Sequence, residues 1–151
     1  MQLLAAADFV QGTARIFADW SQRFKANPNA FTVLDQAEFL RQGGDPAIFY
    51  AHGYWALGPE QALLIDVPPS ENEFWNFQLD NYWMESLDYR YFTIHLNKRT
   101  TRYRPDGSAV LVLAHRDPGV PNWLDTAGHD LGTMLYRVVR GADPAYPRTR
   151  V

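Results

Sequence analysis

The spacing of apolar residues divides the chain into a helical start and a strand-rich remainder. Between Leu3 and Phe24 large apolar residues recur every three or four positions, which is the period of one face of an amphipathic helix. The sequence NPN at 27–29 is expected to end this helix. A second, short helix is predicted to begin at Thr32, which would cap it with Asp35 three residues later, and to end at the glycine pair 43–44.

The first helix is expected to bury its apolar face, because a row of large apolar side chains is seldom left in water. That face would be covered by the sheet that follows, by a second copy of the chain, or by a larger partner. The side chains expected to be buried are Phe9, Ile16, Phe17 and Trp20.

After Asp45 apolar and polar positions alternate, and β-branched and aromatic residues become frequent, which is typical of half-buried strands. The turn sequences GPE at 58–60 and PDG at 105–107 predict hairpins between successive strands. For residues 71–87 a helix is the competing interpretation. The six predicted strands are 48–57, 62–67, 74–83, 91–96, 109–115 and 131–139.

These elements predict a mainly β protein, a two-layer antiparallel sandwich formed by residues 45–151. The N-terminal segment, residues 1–44, is predicted to be helical and to lie at one edge of the sandwich. No internal repeat or interdomain linker separates the two parts.

Length, charge and cysteine content narrow the function. A chain of 151 residues is long enough for one domain with a hydrophobic core. The net charge of -3 and the lack of a Lys/Arg cluster argue against nucleic-acid binding. There is no cysteine, which agrees with a reducing cytoplasm, and no apolar stretch approaches the length of a membrane span. We therefore expect a cytoplasmic protein without a membrane or nucleic-acid partner.

Five motifs follow one another along the chain: GYWALGPEQALLIDV (53–67), WNFQLDNYWMESLDY (75–89), LNK (96–98), DG (106–107) and DPGVPNWLDTAGHDLGTMLYR (117–137). In this order they resemble a bacterial family known as domain of unknown function 1214. The resemblance extends over residues 45–151 and implies an antiparallel, jelly-roll-like β-sandwich. It also implies a domain that often forms the C-terminal part of longer proteins, and it implies no established reaction.

The segment DPGVPNWLDTAGHDLG, residues 117–132, is the first candidate site. Its prolines and glycines are typical of a stiff connection between strands, with Trp123 closing the end of the core. In the functional interpretation Asn122, Asp125 and His129 surround a pocket mouth, and Asp125 orients His129 as a general base. Both interpretations remain open at this point.

A metal site is the weaker hypothesis for the same region. His115, Asp117 and His129 have the residue types of the two-histidine, one-carboxylate iron site. In such sites the second histidine generally comes from a distant strand, whereas His129 lies just beyond a loop. We therefore expect no metal ion and no cofactor.

Arg137 is the second candidate, because it interrupts the apolar run MLYRVV, where a charge is costly unless it is paired. Glu85, Asp88 or Asp125 could supply the partner. Alternatively, Arg137 faces a cavity and binds a carboxylate or another anionic group. Asn97 belongs to the same group of polar residues at predicted strand ends.

The sequence thus favours a small-molecule-binding β-sandwich module whose ligand is apolar or aromatic with an anionic or polar group. The tryptophans fit this role only if exposed, because a buried tryptophan belongs to the core. The alternative is a hydrolase or lyase that uses acid-base residues of region 117–137. The catalytic candidates are Asp125, His129 and Glu85, and the ligand-binding candidates are Trp83, Asn97, Asn122, Trp123 and Arg137.

Overall fold

The structure is a computed structural model that describes residues 2–151, without the side chain of Gln2. Met1, the first residue of the predicted N-terminal segment, lies outside the described residues. Within residues 2–151 the chain forms two helices and nine strands, and the strands form two sheets. The protein is therefore mainly β with an N-terminal helix, as the sequence predicted.

The helices are α1 (Gln2–Lys25) and α2 (Gln36–Arg41). The strands are β1 (Ala30–Thr32), β2 (Ile48–Ala56), β3 (Ala62–Val67), β4 (Phe74–Asp80), β5 (His95–Asn97), β6 (Ala109–Ala114), β7 (Trp123–Asp125), β8 (Leu131–Val139) and β9 (Arg148–Arg150).

The first sheet has five strands in the order β1-β2-β8-β4-β5, and every neighbouring pair is antiparallel. The second sheet has four strands in the order β7-β6-β3-β9. Its pairs are antiparallel except for β6 and β7, which run parallel. The expected antiparallel pairing is therefore confirmed everywhere except at β7.

One hydrophobic cluster joins side chains from both sheets. Strand β4 shows how the alternating pattern builds it, because Trp75, Phe77 and Leu79 are buried in the cluster while Asn76 and Gln78 are partly exposed. The helical interpretation of residues 71–87 is therefore wrong. Strands β2 and β8 of the first sheet also contribute to the cluster, and β3 and β6 contribute from the second sheet. These residues are Ala51, Trp55, Met134, Tyr136 and Val138 from the first sheet, and Leu63, Ile65, Val67, Ala109, Leu111 and Leu113 from the second.

The predicted hairpins are wrong, although both turn sequences do form turns. Strands β2 and β3, on either side of residues 58–60, belong to different sheets, and so do β5 and β6 on either side of residues 105–107. The same residue types form a tight turn whether the turn joins two paired strands or leads from one sheet to the other. Gly107 has a φ of 82° in its turn, which explains the glycine but does not reveal where the chain goes next.

The sequence pattern missed three strands, β1, β7 and β9, each of three residues. Strand β1 lies in the segment predicted to be helical and pairs with β2 at the edge of the first sheet. Thr32 is part of that strand, so the N-cap of α2 is Asp35, whose carboxylate accepts a hydrogen bond from the Ala37 amide at 2.9 Å.

Only the C-terminal part of α1 packs on the rest of the protein. Ser21 and Phe24 are fully buried, but Phe9 is 72% exposed, Ile16 44% and Phe17 38%. The prediction that these three side chains are buried within the chain is therefore wrong, while Trp20 is partly buried. The helix forms as its pattern predicted, yet most of its apolar face has no covering surface among residues 2–151.

Gly132 in β8 gives a test of how closely the first sheet is packed. A Cβ atom there would lie 2.1 Å from the carbonyl oxygen of Asp80 and 3.0 Å from Nε1 of Trp55. Because backbone has to move to relieve that clash, we expect Gly132→Ala to lower the free energy of unfolding by about 1–3 kcal/mol or more. Urea denaturation measures the change.

The matched control is Gly12→Ala in α1, where an added Cβ meets nothing within 4 Å. This substitution should leave stability unchanged or raise it by up to about 1 kcal/mol, because alanine favours a helix more than glycine does. A Gly132→Ala protein as stable as the wild type would contradict the packing described for β8.

Candidate functional site

The face of the first sheet that points away from the core carries mostly polar side chains. Alternation along β2, β8 and β4 brings these residues to one side, and the strand register places them in rows across the sheet. We call this surface the polar face. Its rows are Tyr54–Thr133–Asp80, then Thr32–His52–Leu135–Gln78–His95, and then Tyr50–Arg137–Asn76–Asn97.

The two helices cover the β2 side of the polar face and enclose His52 in aromatic rings. The imidazole stacks on Phe24 and on Phe39, each with ring centroids 5.3 Å apart. Trp20 meets it edge-on at 5.9 Å. The end of α1 is held in place by Ser21, whose hydroxyl donates to the Tyr82 carbonyl, and by an ion pair of 2.6 Å between Arg23 and Glu38.

His52 is a buried imidazole without a partner for Nδ1 among the described residues. Only 6% of the residue is exposed, and burial together with the charge of Arg137 lowers its pKa to about 3. It is therefore neutral at physiological pH. The hydroxyls of Tyr54 and Thr32, on the same side of the sheet, also lack a hydrogen-bond partner within the described part of the chain.

Asp80 is the second buried ionisable group of the polar face and is 3% exposed. Burial raises the pKa of its carboxyl to about 6, although a hydrogen bond from Gln78 and the charge of Arg137 act in the opposite direction. The Gln78 amide donates to the Asp80 carboxylate at 2.6 Å. A carboxyl with this pKa exchanges its proton close to neutral pH.

Arg137 is partly exposed and, within residues 2–151, has no carboxylate within 4.0 Å. The partners proposed for it from sequence are engaged elsewhere. Asp88 pairs with Arg90 at 3.0 Å, and Glu85 accepts a hydrogen bond from Asn81 at 2.8 Å. Arg137 therefore keeps its charge available on the polar face.

A shallow pocket of about 240 Å³ opens beside this arginine, where the polar face meets the two helices. Its walls combine aromatic rings, one imidazole and one guanidinium group, so the pocket offers both stacking surfaces and a positive charge. The pocket is lined by Trp20, Phe39, Gln42, Gly43, Gly44, Tyr50, His52, Leu135 and Arg137.

Two other residues of the predicted group lie elsewhere on the surface or in a turn. Asn97 shares the row of Arg137, with Asn76 between them, but its side-chain oxygen accepts the amides of Arg99 and Thr100 and so closes a turn. Trp83 is 53% exposed and lies with Glu85 in a groove against α1.

Asn122 and Trp123 fasten the segment 117–132 to the second sheet. Asn122 adopts a left-handed φ of 63° and exchanges hydrogen bonds with the backbone of Arg102, both at 2.8 Å. Its amide also donates to the carbonyl of Val110 at 3.0 Å, and the Trp123 indole donates to that of Ala114 at 3.0 Å. These contacts are those of the stiff connection that the sequence pattern suggested.

Asp125 and His129 do not meet Arg137. The Asp125 carboxylate accepts the Ala127 amide at 2.8 Å, and His129 is exposed in the loop before β8. Arg137 lies six residues beyond Leu131, the first residue of β8, which is about 20 Å along an extended strand. The structure therefore places Arg137 away from Asp125 and His129, and no hydrogen bond joins the side chains of those two residues in the described part of the chain.

The residues considered for an iron site have structural contacts instead. His115 lies 3.0 Å from the hydroxyl of Thr126 and 3.3 Å from the carbonyl of Leu57, and Asp117 accepts the Gly119 amide. In the described part of the chain, no three or more His, Asp or Glu side chains are arranged to hold a metal ion. No helix in the same residues is both long and apolar enough to span a bilayer.

The sequence analysis did not identify His52 or Asp80 as candidate site residues. The available signal was the alternation in FWNFQLD, which puts Asn76, Gln78 and Asp80 on one face. The sequence does not show which strand pairs with β4. Only the pairing of β4 and β2 with β8 brings Asp80, His52 and Arg137 to one surface.

Comparison with known proteins shows similarity to solved structures, among them the two crystal structures described below. No protein-family model and no curated protein matches the chain. An uncharacterized protein from Burkholderia cenocepacia is 49% identical, with a TM-score of 0.92 over 96% of this chain. This chain spans 41% of that protein's length.

The VPA0106 protein from Vibrio parahaemolyticus is the second similar structure. It is 15% identical, with a TM-score of 0.56, and the match covers 77% of this chain and 34% of VPA0106. At this identity the likeness concerns the fold alone.

The pKa values of His52 and Asp80 predict opposing effects of pH on stability. Between its ordinary pKa of 3.8 and about 6, Asp80 keeps a proton only in the folded protein, so stability falls as the pH rises. Between about 3 and 6.5, His52 binds a proton only in the unfolded chain, so stability rises with pH. In the wild type the two slopes largely cancel between about pH 4 and 6.

Substitution of either residue should reveal the pH dependence of the free energy of unfolding that the other residue causes. We expect the free energy of unfolding of Asp80→Asn to rise from about pH 4 to 6.5, and that of His52→Phe to fall from about pH 4 to 6. Each slope is limited to about 1.4 kcal/mol per pH unit. Urea denaturation at four pH values measures both, and parallel profiles for the wild type and the two variants would contradict the assignment.

Proposed function

We propose that this domain binds a small molecule with an aromatic or apolar body and an anionic group, and that the anionic group pairs with Arg137. The observation that carries the proposal is the position of this arginine. Its guanidinium borders the aromatic pocket, and none of the carboxylates in residues 2–151 forms an ion pair with it.

The walls of the pocket support the nature of the ligand body. Trp20 and Tyr50 are partly exposed and provide ring surfaces for stacking, and the buried Phe39 packs against both of them. A volume of about 240 Å³ lies below the range typical of drug-sized ligands, which favours a molecule built on a single ring.

The charge balance of the site supports an anionic group. His52 is neutral because of its low pKa, so Arg137 is the cationic side chain among those that line the pocket. A guanidinium in a partly buried setting favours a carboxylate or phosphate, with which it can form two parallel hydrogen bonds. A bound anion would also recover part of the free energy that an unpaired arginine costs on a sheet face.

The alternative function, a hydrolase or lyase using region 117–137, receives no support from the contacts of that region. Asp125 is engaged in a turn and His129 is not hydrogen-bonded to it. The alternative stays a prediction.

We extend the proposal to the type of β-sandwich and to the protein family. We interpret the two sheets as a jelly-roll-like sandwich and the chain as a cytoplasmic bacterial protein of the domain of unknown function 1214 family. The shared hydrophobic cluster and the likeness to a Burkholderia cenocepacia protein are consistent with that interpretation.

Titration with benzoate and phenylacetate, followed by ligand-detected and two-dimensional NMR, tests the binding proposal. We expect both carboxylates to shift signals of the pocket residues, and their neutral amides to bind more weakly. Arg137→Met should weaken carboxylate binding by about tenfold or more, because a hydrogen bond to a charged group contributes about 1.5–3 kcal/mol. The melting temperature should stay within a few degrees of the wild type.

Arg116→Met is the matched control, because this arginine is 79% exposed and makes only a distant 3.7 Å ion pair with Glu60. It should bind the carboxylates as the wild type does. Equal binding by the Arg137 and Arg116 variants, or binding of the amides as tight as that of the acids, would refute the role of Arg137.

A further inference from the structure

The N-terminal part of α1 carries an apolar face that no described residue covers. Leu3 is 88% exposed, Leu4 73%, Phe9 72% and Val10 65%. Side chains three and four residues apart lie on the same side of a helix, so Phe9, Val10, Thr13 and Phe17 form one stripe. Exposed apolar stripes of this kind mark binding surfaces in monomeric proteins.

The stripe continues onto the loop that follows β4. Phe9, Val10, Thr13, Ala14 and Phe17 face Trp83, Met84 and Glu85 across a groove of about 420 Å³. Trp83 is 53% exposed there, although large aromatic residues are usually buried or bound. We call these eight residues the α1 groove.

A partner on this surface would stabilise the N-terminal turns of α1. The packed contacts of the helix are confined to its last turns, around Ser21 and Phe24. Residues 3–11 are all exposed. A helical segment of this length is marginal in water unless its amphipathic face is packed.

The relative with 49% identity indicates what the partner is. Its match covers 96% of this chain, and the unmatched 4% of 151 residues is about six residues, fewer than the 24 of α1. Most of α1 therefore has a counterpart in a protein of which 59% lies outside the match. In that protein the helix is attached to a large amount of further polypeptide.

We propose that the α1 groove docks a polypeptide equivalent to the unmatched 59% of the Burkholderia cenocepacia protein. The occupant presents apolar side chains, since seven of the eight groove residues are uncharged. Phe9, Phe17 and Trp83 are its anchors, because large aromatic side chains at the centre of an interface contribute most to binding. The surface is separate from the pocket beside Arg137, which none of these three residues lines.

Hydrogen-deuterium exchange on this chain and on the full-length Burkholderia cenocepacia protein tests the proposal first. In this chain the amides of residues 3–11 should exchange rapidly. In the full-length Burkholderia cenocepacia protein the counterparts of these amides should exchange at least about tenfold more slowly, because the docked polypeptide stabilises the helix. Equal, rapid exchange in both proteins would overturn the proposal.

Co-expression provides the second measurement. This chain is produced together with the unmatched part of the Burkholderia cenocepacia protein as a separate tagged polypeptide, and the mass of the product is measured by light scattering after gel filtration. A complex of one copy of each supports docking. The double variant Phe9→Asp, Phe17→Asp should lose it, and Val120→Asp, at an apolar position 49% exposed on a different loop, should retain it.

A self-associating chain would overturn the choice of partner. If the chain alone is a dimer and the double variant is a monomer, the occupant is a second copy. If the co-expressed polypeptide is insoluble, the exchange experiment decides. Circular dichroism of the double variant shows whether it keeps its fold, as expected for substitutions at exposed positions.

Discussion

The position of β8 between β2 and β4 is the constraint on which the rest of the structure depends. All nine residues of β8 pair with β2, and seven positions of β4 pair with its other side. One set of its side chains, including Met134 and Tyr136, enters the core, and the other set, including Arg137, reaches the polar face. Because a strand has a period of two, this single register fixes both surfaces at once.

The close approach of neighbouring strands at Gly132 holds that register. The Trp55 indole donates to the carbonyl of Thr133 at 3.1 Å, and the Asp80 carbonyl lies where a Cβ of residue 132 would be. A shift of β8 by one residue would put a side chain into that space and Arg137 into the hydrophobic cluster. Both changes cost free energy, so the core and the candidate site support the same pairing.

The parts of the fold that the sequence revealed are those with long, regular patterns. The sequence pattern predicted the observed bounds of β3 and β8, because these strands have six and nine consecutive residues. Strands β1, β7 and β9 have three residues each, too few for a period to be recognised. The turn that begins at Gly58 was predicted to be a hairpin because its residues favour a tight turn. Turn residues indicate a local change of direction, but they do not indicate which sheet the next strand joins.

The sequence predicted only part of the candidate site, because burial that arises from tertiary packing is not visible in a local pattern. Arg137 was recognised because a charge stands out in an apolar strand, whereas His52 and Asp80 fit an ordinary alternating pattern and gain their burial from tertiary packing. The segment 117–132 was predicted to be a candidate site because of its composition. Its Asn122 and Asp125 instead satisfy backbone groups, which is the commoner role of short polar side chains in turns.

Helix α1 links the pocket to the groove. Trp20 lines the pocket and Phe17 lines the α1 groove, and the two residues are three positions apart, which is less than one turn of helix. The C-terminal turns are fixed by Phe24 and by the Arg23–Glu38 ion pair, while the N-terminal turns have no such support in the described chain. A polypeptide seated on Phe17 would therefore restrict the same stretch of helix that positions Trp20 over His52. The pocket wall at Trp20 and the groove wall at Phe17 thus belong to one helix, so a single change in the position of α1 would alter both surfaces.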